Sequence, residues 1–276
     1  MKVRILIIFV SAVLAFATIL TTLQALRAAG GGMIYLPVLY RPATTCTVPS
    51  VQHPTIQSAA DDTACGTIML TAALYQEAVT LTHNVKIHGQ GPAATMVDAQ
   101  EQGAVFYIQP GLNIVLSDML LTNGWSLKGG AGVRNEASQV VLENVHIIAN
   151  KALAGTDPED GLGGGVYNSG TMFITNTLIQ NNIGRNGGGI YNTGKLSIHN
   201  STLTSNYILG KSPEPRTAGI FNSMEAIIHD SILTEHRGVL AGVGGVLTMT
   251  NSLLQDNGMF PDPSPYERRP RKEARP

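Results

Sequence analysis

The chain has 276 residues, 43% of them hydrophobic and only 13% charged, with 30 glycines and a formal net charge of −1. Soluble domains ordinarily carry about a quarter charged residues, so a charge-rich disordered chain and a long solvated helical bundle are both excluded. A charge this close to zero offers no field to attract a polyanion, which argues against nucleic acid as a partner.

The first residues read as a targeting segment. Lys2 and Arg4 precede an apolar run from Ile5 to Leu20, and small residues follow at Ala28-Ala29-Gly30-Gly31-Gly32. Residues 1–30 are therefore expected to be a signal peptide or, if uncleaved, an N-terminal membrane anchor. Residues 31–45 form a linker, and the remainder is exported: secreted or held at the cell surface. In that compartment the two cysteines, Cys46 and Cys65, read as a disulfide. A zinc site is not expected, because no pair of histidines accompanies them.

Next come a short helix at Thr55-Ile56-Gln57-Ser58-Ala59-Ala60 and strand-like runs at Thr67–Leu70, Ala78–Thr82 and Val85–Gly89. The helix is expected to cover open strand edges at the start of the fold, with the disulfide pinning it.

From residue 114 onward one pattern repeats, centred on an Asn or Asp anchor. The six copies are Ile114–Leu121, Val140–Ile147, Met172–Ile179, Leu196–Leu203, Ala226–Leu233 and Leu247–Leu254, with anchors Asp118, Asn144, Asn176, Asn200, Asp230 and Asn251. Two and four residues before each anchor the chain is apolar, and three after it stands Leu or Ile. Asn150, Asn182, Asn206 and Asn257 lie six residues after four of them. A second string, Gly163-Gly-Gly-Val-Tyr-Asn168, recurs at Gly187–Asn192 and Ala218–Asn222, with a shifted copy at Gly130–Asn135.

Period-2 alternation in short runs means strands, and about 22 residues per copy leave no room for a crossover helix. A repeat too small to bury a core alone must stack on identical neighbours. The expected fold is all-β, a single-stranded parallel β-helix with an N-terminal helical cap. Stacking turns each column of the repeat into a ladder, and the amides of Asn144, Asn176, Asn200 and Asn251 are expected to form a structural Asn ladder directed inward. Replacing Asn200 by Leu is expected to destabilise the central coils.

Two inserts, at 151–162 and 207–217, leave the coil at one corner and are expected to project from one edge. The first is acidic and reads as a cation site or a solvated loop. Residues 259–276, rich in Pro and Arg, read as a disordered tail.

Cys46-Thr-Val-Pro, Thr55-Ile-Gln-Ser-Ala, Cys65-Gly-Thr-Ile-Met-Leu, Tyr75-Gln-Glu77 and Val85-Lys-Ile-His-Gly-Gln-Gly-Pro92 resemble the opening of pectin lyase-like β-helix proteins. The Gly-Gly-Gly-Ile-Tyr-Asn and Asn-Ser-Thr-Leu copies resemble repeats of polymorphic outer-membrane-type bacterial surface proteins. The resemblance spans residues 46–258 and, with the crossover rule, implies a right-handed helix. That superfamily contains lyases, hydrolases, esterases and many non-enzymes, so the resemblance leaves activity open.

Residues just before the anchors, Ser117, Glu143, Thr175, His199, His229 and Thr250, should point outward, and one acid in six makes a poor catalytic face. Glu235, Asp256 and the nearby His236 form the best candidate catalytic cluster, with a pair of solvated turn residues as the plainer reading. His199 and His229 are ladder neighbours, but no metal and no cofactor is assigned. The most distinctive exposed column is Arg134, Tyr167, Tyr191 and Phe221. It is a candidate binding surface for a polysaccharide or cell-envelope component, unless the rings merely stack on each other and shield the sheet.

The expected protein is thus a non-catalytic, monomeric, exported β-helix that binds a glycan or another surface component along one face. The alternatives are a polysaccharide lyase or glycoside hydrolase, and a purely structural envelope protein. Membrane contact is expected only through an uncleaved N-terminal segment.

Overall fold

The computed structural model describes residues 44–153, 155, 157, 160–208, 217–234, 240–241 and 245–255. They form a parallel β-helix. Three sheets run along it, and every strand pairing is parallel, an arrangement consistent with right-handed winding. The targeting segment, the linker and the tail, 259–276, lie outside the described residues.

One coil shows how the repeat builds the fold. Val166–Asn168 contributes to the seven-stranded sheet, and Thr171–Thr175 to the largest sheet. Past the anchor Asn176, Leu178–Gln180 continues the largest sheet on a second face, and Ile183–Gly184 joins the four-stranded sheet. The next coil repeats the circuit in strict register, with Met172 opposite Leu196, Ile174 opposite Ile198 and Ile179 opposite Leu203.

Alternation places these residues in a continuous aliphatic core. Ile114, Leu116, Val140, Leu142, Met172, Ile174, Leu196, Ile198, Ala226 and Ile228 are all buried, as are Leu121, Ile147, Ile179, Leu203 and Leu233 three residues after the anchors. Each buried Leu or Ile contributes about 1.5–3 kcal/mol.

The anchors have a different role from the one expected. All six have positive φ, from 47° at Asn200 to 59° at Asp118. They form the corner between the two faces of the largest sheet. Asn and Asp tolerate the left-handed region better than other non-glycine residues. In that conformation the side chain leaves the core: Asn144 is half-buried, and Asn176, Asn200 and Asn251 are exposed. Neighbouring anchors still meet outside, with Asn144 Nδ2 donating to Asp118 Oδ1 (2.7 Å) and Asn200 Nδ2 to Asn176 Oδ1 (2.6 Å).

The buried amide ladders stand in two other columns. Asn150 Nδ2 donates to Asn182 Oδ1 and Asn182 Nδ2 to Asn206 Oδ1, each at 3.0 Å. Each amide also donates back to a carbonyl of the preceding coil, Leu121, Ile147 and Ile179 in turn. A parallel chain runs Asn135 to Asn168 to Asn192 to Asn222, at 2.7, 2.6 and 2.7 Å. A third ladder uses hydroxyls just after the anchors. Thr177, Ser201, Ser231 and Ser252 each accept a backbone N–H from the preceding coil and donate to the carbonyl two residues earlier.

Coils packed this closely leave no room for side chains at some corners. A Cβ on Gly188 would lie 2.1 Å from the Tyr207 carbonyl oxygen, and one on Gly164 would lie 2.4 Å from that of Gly188. Part of the high glycine content is therefore a stacking requirement.

The first described coil carries the expected helix, Ile56–Asp61, with Thr55 as its N-cap in a reciprocal capping box with Ser58. Ile56, Ala59 and Ala60 are buried in the core. The Glu77 carboxylate accepts from the N–H groups of Ile56 and Gln57 at the helix start, at 2.8 and 2.9 Å. Gln57 in turn meets the edge of the strand Val79–Leu81. Its amide donates to the Thr80 carbonyl (3.1 Å) and accepts from the Thr80 N–H (2.7 Å), in the manner of an adjoining strand. Cys46 and Cys65 form a disulfide linking the first two strands of the largest sheet.

Two stability predictions follow from these contacts. Asn182→Ala orphans the Asn150 N–H and removes the amide's bonds to Asn206 and to the Ile147 carbonyl inside the stack, and is expected to cost about 3 kcal/mol in urea denaturation. Asn200→Gly keeps the left-handed corner and should cost well under 1 kcal/mol, whereas Asn200→Leu should cost about 1–2 kcal/mol because of its backbone conformation. Equal losses in Asn182→Ala and Asn200→Gly would remove the distinction between ladder and corner. Separately, the double change Cys46→Ser, Cys65→Ser should lower the unfolding free energy by about 3 kcal/mol through loss of loop closure, measured in the same assay.

Candidate functional site

The aromatic column arises from three-residue strands in which only the middle residue faces out. Val133, Val166, Ile190 and Ile220 and the asparagines two residues on are buried. Arg134, Tyr167, Tyr191 and Phe221 stand between them in exact register from strand to strand. Tyr107 precedes Arg134 in the same column; its strand lies outside the repeated string, so the repeat does not reveal it.

The rings stack on one another. Tyr167 and Tyr191 have centroids 5.8 Å apart and planes within 5°, and Tyr191 and Phe221 are 4.5 Å apart and within 6°. The Arg134 guanidinium lies 4.7 Å from the Tyr167 centroid. It is steadied by Glu136 Oε1 (2.7 Å) and by the carbonyls of Lys128 and Gly129. Both faces of Tyr191 are therefore used by neighbouring rings, and those of Tyr167 by Arg134 and Tyr191. What this column offers solvent is its edge, not a row of flat faces.

Beside that edge is a cleft of about 140 Å³ lined by Lys128, Arg134, Leu162, Tyr167, Tyr191 and Thr193. The Lys128 ammonium is bound to Asp157 (3.0 Å) and Asp160 (3.1 Å) of the first insert. Hydrogen bonds to those two carboxylates raise its pKa, so it stays charged at neutral pH. The acidic insert thus has a cationic partner supplied by the chain itself. The second insert lies mostly outside the described residues. A shallower groove of about 290 Å³ crosses the largest sheet, over Lys86, Asn113, Val115, Gln139 and Val141.

Register places Ser117, Glu143, Thr175, His199, His229 and Thr250 in one column, as expected. Ser117 is nevertheless only 3% exposed. Its Oγ lies 2.7 Å from His88 Nδ1 and donates to Asp118 Oδ2 at 2.8 Å. A hydroxyl has one proton, and a carboxylate only accepts. The proton therefore goes to Asp118, and His88 donates to the oxygen. That order, with serine between histidine and acid, makes His88 a donor to the hydroxyl oxygen and so leaves no histidine base to activate it. Glu143 is the lone carboxylate of the column. On the following face, burial pushes the His146 pKa below the usual imidazole range, so it is neutral at pH 7. The candidate catalytic residues Glu235, His236 and Asp256 lie outside the described residues.

No protein-family model and no curated protein matches the sequence. Among solved structures, the chain is similar to the pectin methylesterase of Aspergillus niger, with a TM-score of 0.50 and 10% identity over 81% of this chain and 92% of that one. It is also similar to the pectin methylesterase of carrot, with a TM-score of 0.45 and 12% identity over 86% and 92%. At these identities the likeness shows the fold alone. No helix among the described residues is long and apolar enough to cross a membrane.

The Ser117 geometry makes a prediction. The protein should not be labelled by a fluorophosphonate probe for activated serines. Labelling that disappears in Ser117→Ala would overturn the assignment of its proton to Asp118.

Proposed function

We propose that the chain is an exported, non-catalytic binding protein that holds a glycan, as a polysaccharide or a cell-envelope component, against the edge of its aromatic column. The observation that carries this reading is the position of Tyr167 and Tyr191, which line the cleft together with Lys128, Arg134 and Thr193. Phenol hydroxyls, a threonine hydroxyl and two cations form a set of hydrogen-bonding groups suited to sugar hydroxyls and carboxylates. Their stacking fixes the ring positions before a ligand arrives, which lowers the entropic cost of binding. The targeting segment and the disulfide support export, and the Gly-rich repeats resemble those of polymorphic outer-membrane-type surface proteins. The right-handed winding belongs to this reading.

Stacking and binding are separable by experiment. Phe221 shows that the column accepts phenylalanine, so Tyr167→Phe with Tyr191→Phe keeps the rings and removes only the hydroxyls. On a glycan array, wild type should bind a defined set of polysaccharides. The double variant should bind them at least tenfold more weakly, about 1.4 kcal/mol, with its melting temperature unchanged. Equal binding by the double variant would refute the site. Depolymerisation of the same glycans would support the enzymatic alternative, and an empty array would leave a structural envelope role.

A further inference from the structure

A second site stands on the outward column at the opposite end of the repeat, on residues that take no part in the proposed glycan site. His199 and His229 occupy equivalent positions in consecutive coils. Their imidazoles lie parallel, with centroids 5.3 Å apart and planes within 8°. Asp230 is the next residue in the chain and the anchor of its coil. Its left-handed backbone, φ 49°, turns the chain sharply beside the pair. One carboxylate oxygen, Oδ2, thereby approaches both rings, at 2.7 Å from His229 Nδ1 and 3.4 Å from His199 Nε2.

The shorter approach is not a hydrogen bond. His229 Nδ1 is shut off from solvent and has no hydrogen-bond partner, although the carboxylate oxygen is within reach. A buried ring nitrogen without a partner is costly, and a cation held to one side by both the nitrogen and the carboxylate would satisfy both. One donor atom from each of the three side chains lies within 4.8 Å of the others. Donors bound to one ion at about 2.0–2.2 Å stand roughly 3–3.5 Å apart; the approach of Asp230 to His199 lies in that range, and the one to His229, 2.7 Å, has to lengthen by a few tenths of an ångström.

We propose that His199, His229 and Asp230 bind a single divalent transition-metal ion, zinc or copper in class, through two imidazole nitrogens and one carboxylate oxygen. Imidazole donors favour these ions over calcium and magnesium, which take oxygen ligands. The histidine and aspartate side chains are 52%, 41% and 41% exposed, so the site opens to solvent and its remaining coordination positions are free for water or an external ligand. Among the described residues, the other group of potential ligands, around Cys46 and Cys65, is ruled out because those sulfurs are bonded to each other.

The fold supplies its own control substitutions. The register neighbours of this histidine pair are Thr175 and Thr250, and four of the six anchors are asparagine. His199→Thr, His229→Thr and Asp230→Asn therefore each install a residue that the helix already accommodates at that position. Chelator-stripped full chain titrated with ZnCl₂ in a calorimeter should bind one equivalent. With CuCl₂, electron paramagnetic resonance should show two equatorial nitrogens. Each variant should bind zinc at least tenfold more weakly while keeping the metal-free melting temperature, and His229→Thr should lose one nitrogen from the copper spectrum. Absence of zinc binding at millimolar concentration, zinc affinity unchanged in all three variants, or an unaltered copper spectrum in His229→Thr would each overturn the site.

Discussion

The structure depends on one constraint: each coil must place its buried polar groups where the coils before and after it can complete them. Asn182 shows the constraint most fully. Its side-chain oxygen accepts from both the backbone and the side chain of Asn150, and its nitrogen donates to Asn206 and to the Ile147 carbonyl. No single coil can satisfy that amide. Aliphatic columns would tolerate some slippage between coils, because burial is not directional. The amide and hydroxyl ladders would not, and they hold the register on which every outward column relies.

That division explains how the surface can carry chemistry at so little structural expense. Once inward and corner positions fix the register, the outward residue of each strand can vary freely. In the column before the anchors it is glutamate, threonine or histidine, and in the column of the seven-stranded sheet arginine, tyrosine or phenylalanine. Side chains far apart in sequence become neighbours at a spacing of about 4.8 Å. The tyrosine stack and the histidine pair are both products of this translation, and neither needs a loop to assemble it.

The fold was largely legible because the repeat carries its own period. The anchor frame gave the register of Ser117, Glu143, Thr175, His199, His229 and Thr250 before any coordinates. What it could not give was the direction of a side chain at a corner. Asn176 and Asn182 are the same residue type six positions apart, yet one is exposed and the other buried. The difference comes from the backbone: Asn176 takes the left-handed region, and Asn182 follows Asn181, which takes it in turn. The hydroxyl ladder through Thr177, Ser201 and Ser231 escaped notice because these residues look like ordinary turn residues. The part of Asp230 in the histidine cluster was hidden for the same reason: as an anchor it is accounted for by its backbone, and only coordinates show its carboxylate beside the imidazoles. Sequence also could not say whether Tyr167 and Tyr191 would present faces or edges, since ring rotation is set by the neighbouring coil.

A parallel stack has no natural end, because the last strand always exposes a row of backbone groups that would accept another. At the seven-stranded sheet this protein closes that row with the side chain of Gln57, whose amide occupies the place a further peptide would take. A single glutamine, held by a helix of six residues, thus acts as a terminator at that edge, and separates a protein of defined length from a template for fibre growth.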